Sequence, residues 1–100
     1  MLKNYAHTTV ASTPATLITT ATAHQIAIVS LLASANSEGG SLTISVNNGT
    51  SDIWSCIITL TAYNTAFLDS KIFLPAAYVL KVEGSVDNIE IMVSADDSEV

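Results

Sequence analysis

The sequence contains no arginine and only three lysines against nine acidic residues, a formal net charge of −6. That sign excludes tracking along a phosphate backbone, which depends on basic side chains that release counterions, so no nucleic-acid partner is expected. Long apolar runs are missing too. The longest, such as Ile26 to Val29, fall far short of the roughly 20 residues that span a bilayer, and no membrane partner is expected. The start, MLKNYAHTT, lacks the basic residues and apolar core of a secretory leader, which predicts a protein kept intact in the cytoplasm where it is made. There is one cysteine, Cys56, so no internal disulfide can form. Charged residues are only 12% of the chain, while apolar residues are 49%. With Ser, Thr and Ala filling the rest, the composition is that of β-structure and argues against disorder.

One hundred residues form one domain. A chain of this size buries only about 60 to 70% of its unfolded surface, so surplus apolar area tends to seek a partner. Segments rich in β-branched residues recur at short spacing between clusters of Ser, Asn, Gly and Asp. They predict strands at Tyr5–Ala11, Thr16–Thr20, Gln25–Ala33, Ser41–Asn47, Asp52–Thr61, Ala66–Phe73, Tyr78–Glu83 and Ile89–Ala95. No stretch keeps a 3.6-residue period, so no helix is predicted. The expected fold is all-β, a two-sheet antiparallel β-sandwich of about eight short strands, jelly-roll or Ig-like. Residues 1–10 form a candidate N-terminal arm and residues 96–100 a short, solvated acidic tail. Asn48-Gly49 signals a hairpin, since a type I′ turn needs positive φ at both central positions.

Alternation assigns the faces. Leu42, Ile44 and Val46; Trp54, Cys56, Ile58 and Leu60; Tyr78, Leu80 and Val82; and Ile89, Ile91 and Val93 point inward. This places Cys56 in the core as a small hydrophobe. The exceptions are informative. Ile53, Ile57, Val79 and Met92 fall on outward phases, and Gln25–Ala33 is apolar on both, which adds Val29 and Leu31. Several apolar residues on neighbouring outer strand faces mark a contact surface, so Ile53, Ile57, Val79, Met92, Val29 and Leu31 are the candidate interface.

Chemistry finds little support. His7 and His24 belong to no spaced metal motif, no Gly-x-Ser-x-Gly elbow is present, and the Asp96-Asp97-Ser98-Glu99 run lacks the interleaved ligands of a calcium loop. No catalytic residue, cofactor or metal site is assigned, and the chain is not expected to be an enzyme. Trp54, Tyr5, Tyr63 and Tyr78 are the aromatics that could stack on a sugar, although core packing suits Trp54 and Tyr78 better and leaves Tyr63 open.

The stretch ATLITTATAHQIAIVSLLASANSEGGSLTISV, with Ala35-Asn36-Ser37, and the stretch IFLPAAYVLKVEGSVDNIEIMVSADDSEV resemble the two halves of small β-sandwich structural proteins of tailed bacteriophages. In those proteins a Thr-rich strand ends in a Val-Pro-Ala-Gly-like turn, and a later Leu-Pro-Ala-Gly-Asp-type turn precedes a Leu-x-Val strand. Here Thr20-Ala21-Thr22-Ala23-His24 lacks Pro and Gly, and Ala77-Tyr78 stands where Gly-Asp is usual. The resemblance implies a virion component, either a head decoration protein or a neck, tail or baseplate element, made in the host cytoplasm. Its expected partners are further copies of itself and other capsid or tail proteins. The alternative is a carbohydrate- or receptor-binding module of a tail or adhesin.

Overall fold

In the computed structural model, which describes residues 1–68 and 71–100, the chain forms strands only. They are β1 (Leu2–Thr8), β2 (Ala15–Thr19), β3 (His24–Ser34), β4 (Gly40–Asn47), β5 (Asp52–Leu60), β6 (Thr65–Leu68), β7 (Ile72–Leu74), β8 (Val79–Gly84) and β9 (Glu90–Glu99). Alternation drives each of them. In β4, Leu42, Ile44 and Val46 are buried while the residues between them are half-exposed, the period-two pattern of a strand with one wet face.

One sheet runs β1-β9-β3-β6, with β7 also on β3, and the other runs β2-β8-β4-β5. All pairings are antiparallel: β9 with β1 and β3, β8 with β2 and β4, β3 with β6 and β7, and β4 with β5. That is a long hairpin rolled onto itself, the jelly-roll form of the sandwich. The Ig-like alternative is thereby excluded. Between the sheets lies one core, with Ile18, Ile26, Leu31, Leu42, Ile44, Leu74, Leu80, Val82, Ile89 and Val93 all fully buried.

Three expectations are corrected. The predicted strand Ala66–Phe73 is two short strands on β3, and residues 69 and 70 lie outside the described residues. The N-terminal segment is no loose arm, because Leu2–Thr8 pairs residue for residue with Glu90–Asp96. Nor is the C-terminus a solvated tail. Asp96–Glu99 continue β9 against His24–Ala27, and Asp97 accepts hydrogen bonds from Lys3 Nζ (3.0 Å) and His24 Nδ1 (2.8 Å). The acidic run looked like tail because its charges hide the strand pattern; those charges are met by the basic groups that β1 and β3 bring alongside.

The turns explain the departures from the phage pattern. Ala23 (φ 61°) and Ala77 (φ 71°) both take the left-handed conformation that a glycine would supply in those two turns. The turn at Ala77 is closed by Tyr78 N–H donating to Pro75 O at 3.0 Å, and it is tied to β2 because Ala77 N–H donates to Thr20 O at 3.1 Å. In the β4–β5 loop only Gly49 has positive φ, so Asn48-Gly49 is not a type I′ turn. Asn48 Oδ1 instead accepts from the backbone N–H groups of Thr50 and Ser51, each at 3.0 Å, and organises a longer loop.

Candidate assembly surfaces

β5 is the edge of its sheet, paired with β4 alone among the described residues. Trp54 stands opposite Val46 but Asp52 opposite Asn47, so Ile53 is the extra residue of a β-bulge. From Trp54 to Leu60 the register is unbroken, and burial of the inward phase falls toward the open end of the strand. Leu60 is buried, Ile58 and Cys56 are half-buried, and Trp54 is 40% exposed. Cys56 and Trp54 were expected in the core. Their phase is inward, but among the described residues no strand lies beyond β5 to close over them. Partial burial still pushes the Cys56 thiol above its ordinary pKa.

Ile57 is 69% exposed on the outer phase of β5, beside Thr43 of β4. Val79 lies on the same outer face but opposite Asn47, toward the other end of β4, and is half-buried. Ile53 meets Trp54, Val46, Ile72, Phe73 and Lys71 around an open recess at the seam between the sheets. A second recess shares Lys71, Ile72 and Phe73 and is completed by Ala27, Ile28, Val29 and Asp96. Ile53 and Val29 therefore flank one exposed apolar seam, with Phe73 between them.

A second bulge explains β3, which looked apolar on both faces. Ile28 pairs with Ala95 and Ser30 with Ser94, leaving Val29 as the extra residue. Before it the even positions Ile26 and Ile28 face inward; after it the odd positions Leu31 and Ala33 do. Leu31 is 1% exposed and belongs to the core, so its assignment to the interface is corrected, whereas Val29 is exposed.

Met92 lies on the outer face of the other sheet. It pairs with Ala6 on one side and Leu32 on the other, and Leu32 pairs with Phe67, which is 72% exposed. The row Ala6, Met92, Leu32, Phe67 crosses four strands. The polar rows Asn4, Ser94, Ser30 and Thr8, Glu90, Ser34, Thr65 flank it. Sequence reasoning missed Phe67 and Phe73. Their phase was legible, since Ala66, Leu68, Ile72 and Leu74 alternate with them, but large aromatics are ordinarily assigned inward. Five of the six proposed residues thus fall on separate surfaces, namely the seam, the outer face of the β5 sheet and the Met92 row, while Leu31 lies in the core.

Among the described residues no group of three or more His, Cys, Asp and Glu side chains is placed to hold a metal. Trp54 lies near the start of β5 and Tyr63 in the turn beyond its end, with six strand steps, about 20 Å in all, between Trp54 and Leu60, and the two do not form one aromatic platform.

Neither a protein-family model nor a curated protein sequence matches the chain. Two solved structures are similar to it. One is from Bacillus endospore appendages, described as a novel family of disulfide-linked pili, with a TM-score of 0.63 and 12% identity over 100% of this chain and 88% of that one. The other is a pentameric capsid protein isolated from metagenomic phage sequences, with a TM-score of 0.47 and 16% identity over 94% of this chain and 59% of that one. At 12% identity the likeness to the appendage protein is one of fold.

Proposed function

We propose that the chain is a non-enzymatic structural subunit of a repeated assembly, and that the assembly is the virion of a tailed bacteriophage, where it serves as a head decoration or a neck, tail or baseplate element. One observation carries the reading: Phe67, Ile57, Phe73, Val29, Ile53, Trp54 and Met92 all stand exposed on a domain whose core is already complete without them. Apolar surface of this kind marks contacts with other subunits. The full-length fold likeness to the appendage pilus protein agrees with a subunit role, and the sequence layout favours a virion. The sugar-binding alternative has less support, because Tyr63, the other candidate aromatic, lies beyond the far end of β5 from Trp54 and the two share no recess.

The test is mass spectrometry of purified particles from the source, with immunogold labelling to place the protein. Peptides from this chain at a fixed ratio to the major shell or tail protein are expected. Their absence from particles would overturn the virion reading.

A further inference from the structure

Two sheets have four edges, and three of them are blunted. β1 carries Lys3; β2 has five residues, follows Pro14 and is irregular between Thr16 and Ile18; the outer side of β3 is taken by β6 and β7, of four and three residues, with Lys71 just before β7. Lysines, proline, bulges and short strands are the devices that keep edges from pairing with other chains. β5 differs from all of these. It runs nine residues, carries no charge or proline from Ile53 to Leu60, and keeps a regular register from Trp54 onward. Its outer backbone groups present a template for another strand.

We propose that β5 joins two copies of this chain edge to edge and antiparallel, about a two-fold axis at Ile57, so that two four-stranded sheets become one of eight. The proposal rests on the reading of the chain as a self-assembling subunit and names the contact. A second copy is favoured as occupant on two grounds. Each copy carries a charge of −6, so like copies repel wherever carboxylates meet, and β5 is the long edge along which none does. The strand is also self-complementary about Ile57. Ile57 meets Ile57 of the second copy, Ser55 meets Thr59, Cys56 meets Ile58, and Trp54 meets Leu60, so apolar residues stay with apolar on the inner face and hydroxyls pair on the outer one. Asp52, bound by Asn47 Nδ2 at 2.9 Å, stays outside the paired stretch. The incoming strand would cover Trp54, the most exposed inner-face residue of the paired stretch of β5.

The test uses charge pairs on the exposed positions Ser55 and Thr59, read by concentration-dependent light scattering, with circular dichroism to confirm the β fold. In the proposed register Ser55→Lys with Thr59→Lys sets like charges opposite each other and should raise the dissociation constant about tenfold or more. Ser55→Lys with Thr59→Glu sets opposite charges face to face in both halves and should restore association. Ile57→Thr, which keeps a β-branched residue, should weaken association without a charge and serves if the double variants misfold. Wild-type protein that associates while none of the variants changes it would overturn the β5 contact and leave the subunit reading standing. Equal weakening by both charge pairs would overturn the two-fold register. Wild-type protein that stays monomeric throughout would overturn the subunit reading together with the contact.

Discussion

Two side chains show how local chemistry is set. Ala77 holds φ 71°, a left-handed conformation that costs an alanine about 1 kcal/mol or more but suits a glycine. Ala77→Gly should therefore stabilise the fold by about 0.5 to 1 kcal/mol in urea denaturation, and a loss of stability would mean the turn is not left-handed there. Asp97 has its carboxyl held below the usual range, first by the hydrogen bond from His24 and then by Lys3. Because the folded value is the lower one, its contribution is present above the ordinary carboxylate value of about pH 4 and fades as pH falls through the lowered folded value. Asp97→Asn should accordingly lower the melting temperature at neutral pH and match the wild type in strong acid. A difference between the two that persists unchanged into acid would show that the ion contacts are not its source.

At the level of the elements, the strands were legible and their irregularities were not. Inward sets such as Leu42, Ile44, Val46 and Ile89, Ile91, Val93 announce themselves by alternation and lie in the core. The bulge at Val29 left only a double-faced apolar run as its trace, because one inserted residue turns every later side chain over. Edge position was equally hidden, since sequence shows the phase of Trp54 and Cys56 but not whether a neighbour lies beyond them. Cys56 should label slowly in native protein near neutral pH, with a rate that keeps rising past the ordinary thiol pKa of about 8.5 and accelerates on unfolding. Rapid native labelling would mean that the β5 end opens. The joint between β1–β2 and β8–β9 offers a sharper test. A Cβ at Gly84 would lie 2.8 to 2.9 Å from the Thr9 side chain, whose Oγ1 donates to Val86 O at 2.8 Å and accepts from Ile89 N–H at 3.0 Å. Gly84→Ala should cost about 1 to 3 kcal/mol in chemical denaturation, and a neutral outcome would show that Thr9 can shift without losing its bonds.

For the whole molecule, the argument turns on surplus. A rolled hairpin with a complete core still leaves aromatic and branched side chains on two outer faces and one seam. On the proposed reading, a domain that has settled its own burial and still displays Phe67, Ile57 and Phe73 is covered by another subunit, with the unguarded β5 edge as the contact between copies. Sedimentation equilibrium of the purified chain over a wide concentration range tests this most directly. The weight-average mass should climb above the 10.5 kDa of one copy as concentration rises, whereas a mass fixed at one copy across the whole range would contradict the account.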